Sequence, residues 1–447
     1  MSSLDRIGEY VESVCRQLRW KKARLRVSEE MTNHVVDARD AYIAQGLDEL
    51  SATERAIADT GDAADIGMQL DSIHRPKPQW SMLGATAVLI LIGLFIRAFV
   101  FNGSDSSGPA YVRLLYAAIG IAGMFGAYYA DFTLLGKYPK TIYFGLIGAY
   151  VFWIAILAVF PKSVGLLSLA LRAGRLYFPH YVVLLSPIAF SAVIFAMRNK
   201  GYRGVIICSL AFLPLCYIGV SPFLTGFFYV TVIGLTLFGI AIYKNWFGTK
   251  RQKSFLIVIV PPVLIMTLLL AMPNSLLLRW LKAAIDPYID PMGLGSWGVT
   301  VRELLSGAGF YGTGSMQGEY HVLLLEPLPQ IYYKDLLLTL LIAQLGWGAF
   351  AAIISIMLFF AAKGLKYSLK QRSSLGLFAS TGIIMVFCLQ VFGYVVYNLG
   401  FTFGHPISLP LVSHGNAEMV INLVLIGFML SVFRIGDVVS DGKVLQG

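Results

Sequence analysis

Residues 335–361 read DLLLTLLIAQLGWGAFAAIISIMLFFA, in which Asp335 is the only charged side chain. About 20 consecutive apolar residues in a helix suffice to cross the hydrocarbon core of a bilayer. The whole chain of 447 residues is 57% hydrophobic and 13% charged, with a mean hydropathy of +0.70. A soluble protein of this length cannot bury so much apolar surface. The composition therefore predicts an all-α polytopic membrane protein in contact with the lipid bilayer.

The length criterion predicts roughly ten transmembrane helices. They lie near residues 81–101, 110–130, 141–160, 178–197, 203–220, 222–243, 254–272, 335–361, 376–397 and 417–434. The most basic loops fall on one side, at 137–140, 198–203, 244–253 and 363–372. The positive-inside rule places these loops and the N-terminus in the cytoplasm. The loop at 161–177 is an exception with Lys162, Arg172 and Arg175, and the long loop 273–334 then lies outside.

The N-terminal part has a different composition from the membrane part. Residues 1–80 carry 11 basic and 14 acidic groups, whereas the remainder carries 24 and 11. Residues 1–74 are predicted to form a small cytoplasmic domain of about three amphipathic helices, one of them opened by the capping box Ser51-Ala-Thr-Glu54. The segment 46–62 resembles the helical prefix domain found ahead of bacterial permeases. Residues 75–80 are then a linker, 81–435 the transmembrane domain and 436–447 a cytoplasmic tail.

Several classes of function are excluded by what the sequence lacks. Neither part has the clustered basic and aromatic residues of a nucleic-acid-binding protein. The four cysteines are scattered and form no C-x-x-C pair, so neither a zinc site nor a redox pair is indicated. The N-terminus lacks a signal peptide, and no phosphate-binding G-x-x-x-x-G-K-[ST] motif is present, which argues against ATP-driven transport.

Acidic residues are scarce in the membrane part and cluster before one predicted span. Eleven follow residue 80, and six of these lie between Asp286 and Asp335. An unpaired carboxylate is costly at a membrane boundary, so a partner or a chemical role is expected for Asp335. The alternative is a helix N-cap, in which the carboxylate would accept hydrogen bonds from free backbone N–H groups.

Three blocks of sequence carry a family resemblance. DPYIDPMGLG at 286–295 leads to GAGFYGTG at 307–314, and LPQIYYKD at 328–335 continues to a Gln-Leu-Gly-Trp sequence. The third block contains NLG at 398–400, GHPISLPLVSHGN at 404–416 and GFMLSVFR at 427–434. These blocks resemble the motifs NP…DP, L-P-E-x-H-T-D-F…E-E-L-G-F and P-x-T-G-I-x-L-P-F-x-S-Y-G-G-S-S of the SEDS family, the FtsW, RodA and SpoVE group of bacterial cell-wall proteins.

The resemblance implies a function at the outer face of the bacterial inner membrane. Such proteins polymerise lipid II into peptidoglycan strands beside a class B penicillin-binding protein, in cell shape, division or sporulation. The aspartate aligned with Asp335 is the residue on which this glycosyltransferase activity depends. It is expected to act as the base of an inverting transfer or as a ligand of Mg²⁺ or Mn²⁺. The cations expected to neutralise the leaving pyrophosphate are Arg302, Lys282, Lys334 and Arg175.

The same blocks contain further candidate site residues. Asn398 and Ser413 are expected to shape a broken-helix entry to the substrate site, where irregular backbone lines a cavity. Glu418 is expected to line the cavity or to pair with a cation, because acids inside a membrane domain are usually functional. His405 and His414 are interpreted as loop residues, because no third metal ligand is spaced to join them.

The chain also departs from the family pattern. Tyr333 and Lys334 replace the histidine and threonine before the aspartate, and Ala343-Gln344 replaces a pair of glutamates. The family's Y-G-G-S-S is His-Gly-Asn-Ala-Glu at 414–418. Two alternatives therefore stay open beside the polymerase. One is a non-catalytic scaffold or regulator, and the other is a transporter, or flippase, of the lipid-linked precursor.

Overall fold

The computed structural model describes residues 3–74, 78–96, 110–159, 166–220, 224–271, 276–312, 335–413 and 415–436. All regular elements in these ranges are helical, which confirms the expected all-α class. The chain divides into two compact units, Met1–Pro78 and Gln79–Gly447.

The N-terminal unit contains four helices, one more than expected. They are α1 (Ser3–Arg16), α2 (Lys21–Ala44), α3 (Glu49–Thr60) and α4 (Ala63–His74). Apolar residues three or four apart on α1 and α2 form its core, among them Ile7, Val11, Val14, Val27 and Val35.

The third helix begins two residues before the predicted capping box. Its N-cap is Asp48, whose carboxylate accepts a hydrogen bond of 3.1 Å from the Ser51 backbone N–H. Hydrogen bonds from the Ser51 hydroxyl and from its backbone N–H lower the pKa of the Asp48 carboxyl. A carboxylate stabilised in this way contributes stability above its unfolded pKa of about 3.9, and this contribution is lost as the pH falls further.

We therefore expect acid to loosen α3 through Asp48. In the full chain, backbone amides of α3 should lose hydrogen-exchange protection, after correction for intrinsic exchange, as the pH is lowered from about 5 to about 3. Asp48→Asn is the matched control, because asparagine is also a good N-cap but has no charge to lose. Protection that falls equally in both proteins would contradict the role of Asp48.

The second unit is a bundle of long apolar helices. Within the described ranges, eight helices are long and apolar enough to cross a membrane, and α5 and α6 are shorter apolar helices. The chain is therefore a multi-pass membrane protein. Its helices and connecting elements are α5 (Trp80–Phe95), α6 (Ala110–Tyr129), α7 (Leu134–Lys137), α8 (Pro139–Val159), α9 (Leu166–Ala196), α10 (Gly201–Val220), α11 (Thr225–Tyr243), α12 (Arg251–Leu270), α13 (Leu276–Ile285), a 3₁₀ turn (Pro287–Ile289), α14 (Ser296–Ser306), α15 (Leu337–Leu345), α16 (Trp347–Leu369), α17 (Ser374–Asn398) and α18 (Asn416–Ile435).

Two segments expected to be loops contain helices. The loop expected at 161–177 is helical from Leu166 onward, and this helix, α9, continues through Pro179 and Pro187. The segment 273–334, expected to be a long outer loop, contains helices α13 and α14. The sidedness of the bundle, with the N-terminus in the cytoplasm, stays a prediction.

The span expected at 335–361 is broken into α15 and α16 at Gly346. Gly346 has φ +90°, a conformation that glycine adopts without strain, and a Cβ there would lie 2.5 Å from the Phe310 carbonyl oxygen. The glycine-rich segment after α14 pairs with this break. Trp347 N–H donates to the Gly309 carbonyl at 3.1 Å, and Gly348 N–H donates to Phe310 at 3.0 Å. This segment therefore ends α15 and leaves a short buried helix directly after Asp335.

Candidate functional site

Asp335 is buried and paired with a histidine. Its Oδ2 lies 3.0 Å from His405 Nδ1, and its side chain is 7% exposed. The N-cap alternative is wrong, since the N-cap position of α15 is Leu336, whose side chain makes no capping hydrogen bond. The sequence analysis treated His405 as an ordinary loop residue, and the structure corrects this.

A buried amide holds Asp335 in place. Asn398, at the end of α17, donates from Nδ2 to the backbone carbonyl oxygens of Asp335 and Tyr394, both at 2.9 Å. Its Oδ1 accepts from the Thr339 backbone N–H at 2.9 Å and from the Thr339 hydroxyl. The Tyr394 hydroxyl in turn accepts from the Leu337 backbone N–H at 3.2 Å. These bonds join the first turn of α15 to the end of α17, so the backbone of Asp335 has little freedom.

His405 is held from three elements. The Thr225 hydroxyl of α11 donates to the His405 backbone carbonyl at 2.8 Å. The imidazole lies 6.1 Å from the Tyr397 ring of α17 in a stacked arrangement, and 6.3 Å from the Trp297 ring of α14 with an edge contact. Ring centres at such distances are within the range of favourable aromatic contacts, so these neighbours favour this orientation of the imidazole.

A cavity of about 220 Å³ with a mixed polar and apolar lining opens beside this pair, and it is named the polar cavity because its neighbour is far more apolar. It is bounded by α13, α14, the end of α17 and the loop after it. Among its lining residues are Trp280, Ser296, Trp297, Tyr397, Thr402 and His405. Hydroxyl, imidazole and indole groups together suit a sugar, because they offer hydrogen bonds beside flat apolar faces.

An apolar cavity of about 400 Å³ lies next to the polar one. The two share Tyr397 and Gly404 in their linings. The apolar cavity is formed mainly by side chains of α11 and α17, including Phe228, Val232, Leu389, Phe392 and Val396. A ligand that filled both cavities would have one polar end and one apolar end.

Arg302 and Lys282, two of the predicted pyrophosphate ligands, lie near the apolar cavity. Arg302 on α14 donates to the Ile285 carbonyl at 2.9 Å, and its guanidinium lies 5.4 Å from the centre of the Phe401 ring. Phe401 lines the apolar cavity. Lys282 is exposed in the last turn of α13 and follows Leu281, which also lines that cavity. These cations stay predicted ligands.

The other predicted site residues either do not line the two cavities or lie outside the described residues. Asn398 and Ser413 have structural hydrogen bonds, since the Ser413 hydroxyl accepts from the Leu409 backbone N–H at 3.1 Å. Glu418 is buried in the first turn of α18 and is not among the lining residues of the two cavities described above. Lys334 and His414 fall outside the described residues, as does the side chain of Arg175 on α9.

The described residues offer no complete set of protein ligands for a divalent ion. Across those ranges, no group of three His, Cys, Asp or Glu side chains comes together. Mg²⁺ sites commonly use one or two carboxylates together with substrate phosphates, and Asp335 is the carboxylate next to the cavity, with its Oδ2 hydrogen-bonded to His405. The involvement of Mg²⁺ or Mn²⁺ stays a prediction.

Sequence reasoning missed His405, Trp297 and Trp280. Only His405 had a signal that was visible in the sequence. When the Leu-Pro of the family motif is aligned with Leu409-Pro410, His405 occupies the position of the motif's threonine. The histidine that the family has two residues before its aspartate is Tyr333 in this chain. The histidine that replaces this threonine is the one feature of the sequence that could have drawn attention to position 405.

Comparison with known proteins finds relatives in sequence and in fold. No protein-family model matches the chain. It is 25% identical over 337 residues to "Probable peptidoglycan glycosyltransferase FtsW" of Geobacter sp. (strain M18), covering 71% of this chain and 84% of that protein. The FtsW protein of Nitrosomonas europaea, with the same description, is 22% identical over 80% of this chain and 93% of its own length.

The fold is shared with a chain of known structure. A chain in the solved structure of a peptidoglycan synthase complex, which concerns the coordination of polymerization and crosslinking, aligns with a TM-score of 0.55. The alignment covers 80% of this chain and 98% of that one at 17% identity, so the two share a fold. The sequence and fold comparisons thus support the resemblance to a divergent SEDS protein that the three motif blocks indicate.

Proposed function

We propose that this protein polymerises lipid II into peptidoglycan glycan strands at the outer face of the bacterial inner membrane. The observation that carries the proposal is the Asp335–His405 pair beside a polar cavity that adjoins an apolar one. The family membership and the glycosyltransferase relatives support the same activity. The positive-inside pattern of the loops supports an outward-facing site.

The two cavities match the two ends of a lipid-linked sugar. An isoprenoid chain is apolar and suits the cavity between α11 and α17, whereas a sugar suits the polar cavity with its aromatic faces. The pyrophosphate would lie between them. Arg302, whose guanidinium lies over the Phe401 ring, and Lys282 are the candidates to neutralise it, with Lys334 and Arg175 as further candidates.

The transfer needs a base and a stabilised leaving group. The acceptor hydroxyl must lose a proton as it attacks the anomeric carbon of the donor, while the bond to pyrophosphate breaks. A buried carboxylate paired with an imidazole is suited to proton removal. Inversion at the anomeric carbon requires no covalent intermediate, so one such pair is sufficient.

We also propose a crosslinking transpeptidase of the class B penicillin-binding type as the partner. A chain of similar fold belongs to a peptidoglycan synthase complex in which polymerization and crosslinking are coordinated. Co-purification with the cognate transpeptidase would test this part separately from the activity.

The decisive experiment is a polymerisation assay. The purified full-length protein in detergent is given labelled lipid II, with Mg²⁺, with Mn²⁺ or with a chelator, alone and with its transpeptidase. We expect glycan polymer on a gel. No polymer under any of these conditions would favour the scaffold. Lipid II that crosses the membrane of proteoliposomes without being polymerised would favour the transporter.

A further inference from the structure

Of the two members of the buried pair, His405 is the one that reaches the cavity. Its side chain is 24% exposed, against 7% for Asp335, and His405 belongs to the lining of the polar cavity whereas Asp335 does not. A group that removes a proton in the reaction must come within hydrogen-bond reach of the reacting hydroxyl. On this geometry the imidazole, and not the carboxylate, meets the substrate.

The hydrogen bond between the two side chains sets the chemistry of the ring. With the carboxylate as acceptor, Nδ1 carries the hydrogen and Nε2 keeps its lone pair. A carboxylate in this position holds the tautomer and the orientation of the ring and stabilises the imidazolium that forms when Nε2 takes a proton. The ring is also restrained by Tyr397 and Trp297, so few alternative orientations compete.

The backbone of each partner is fixed by a separate set of contacts. Asn398 holds the carbonyl of Asp335 at 2.9 Å, and Thr225 holds the carbonyl of His405 at 2.8 Å. Catalytic pairs need such support, because a displacement of about 1 Å is sufficient to lower a rate severely. The sequence departures agree with this arrangement, since the chain has lost the family histidine before Asp335 and has a histidine at 405.

We propose that His405 is the general base of the glycosyl transfer and that Asp335 is its positioning residue. The inference rests on the proposed function and deepens it. His405 Nε2 takes the proton of the acceptor hydroxyl as that oxygen forms a bond to the anomeric carbon of the donor. The bond from that carbon to the pyrophosphate oxygen breaks, and the pyrophosphate leaves with the electron pair. The imidazolium later releases its proton to solvent, which restores the starting state.

Few titratable groups surround the imidazole in the described part of the chain. Asp335 precedes α15, and Tyr394 and Tyr397 are on α17; the phenols are neutral near pH 7. Trp297 of α14 and Thr225 of α11 carry no titratable proton in this range. The guanidinium of Arg302, also on α14, donates to the Ile285 carbonyl and lies over the Phe401 ring. Asp335 is therefore the charged side chain to which the imidazole is hydrogen-bonded.

The test uses two variants of the full-length protein in the lipid II assay. His405→Gln keeps a donor for Asp335 but has no group able to take the proton, and we expect a loss of about a hundred-fold to ten-thousand-fold. His405→Ala should show a similar loss and should regain activity when free imidazole is added, since a small base then occupies the vacated space. His34→Ala, a histidine of the N-terminal unit, is the control and should neither lose activity nor respond to imidazole.

The outcomes separate this inference from the proposed function. An active wild type with an equally active His405→Gln variant would overturn the inference and leave the polymerase standing. An inactive His405→Ala variant that imidazole does not restore would assign His405 a structural role and also overturn it. No polymer from the wild type would overturn both. Activity that is restored by imidazole, together with an acid limb in the wild-type pH profile that the residual activity of His405→Gln lacks, would support the inference.

Discussion

The Asp335→Asn variant is expected to polymerise lipid II about a hundred-fold to ten-thousand-fold more slowly than the wild type. Asparagine has almost the size of aspartate, so the buried space beside His405 stays filled. It carries no charge, however, and so cannot stabilise an imidazolium or hold the ring in a single tautomer. The rate of polymer formation from labelled lipid II measures the effect, and thermal unfolding in detergent shows whether the fold is retained.

Asp286→Asn is the matched control for this substitution. The Asp286 carboxylate accepts a hydrogen bond from the Tyr288 backbone N–H at 3.1 Å, which an asparagine oxygen can also accept. Asn-Pro is also the sequence of the family motif at this position. We expect this variant to keep wild-type activity. If Asp335→Asn polymerised as fast as Asp286→Asn, the role of Asp335 in the reaction would be refuted.

The second large effect is expected at the contact between α6 and α18. Gly427 of α18 lies so close to α6 that a Cβ would be 2.1 Å from the Met124 carbonyl oxygen. Backbone cannot move aside as a flexible side chain can, so Gly427→Ala must push the two helices apart. We expect a loss of about 2 kcal/mol or more in the free energy of unfolding, because overpacking of a core typically costs 1–3 kcal/mol.

Gly126→Ala is the matched control for Gly427→Ala. Gly126 lies on α6, two residues after Met124, but a Cβ there would meet nothing within 4 Å. Alanine is the better helix former by about 1 kcal/mol, so this variant should be as stable as the wild type or more stable. Equal unfolding midpoints for the two variants in detergent would show that the close helix contact is not a constraint.

The membrane architecture was accessible from the sequence because it depends on local composition. A bilayer requires long apolar helices, so each span is visible in its own 20 residues, and α8, α10, α11, α12 and α17 lie close to their predicted positions. The exceptions have tertiary causes. The break at Gly346 depends on hydrogen bonds that Trp347 and Gly348 donate to the carbonyls of the distant Gly309 and Phe310, and no property of residues 335–361 predicts these bonds.

The candidate site was only partly accessible for the same reason. The scarcity of acids in apolar sequence singled out Asp335, since an unpaired carboxylate near a membrane is costly wherever the fold places it. The motif containing Asn398 was also recognised, but its function as the amide that holds Asp335 and Thr339 was not. Hydrogen-bond partners of buried groups are chosen by folding and are distant in the chain.

The sequence by itself determined that this chain crosses the membrane many times, that an acidic residue stands at the start of one apolar run, and that the chain belongs beside the SEDS proteins. Only the tertiary structure decided which group meets a ligand. Asp335 and His405 are 70 residues apart and come within 3.0 Å because α15, α17 and the loop after α17 pack together. Because Asp335 is buried, its carboxylate positions the imidazole, whereas the partly exposed imidazole faces the cavity. Burial is a property of the packed molecule and not of the local sequence.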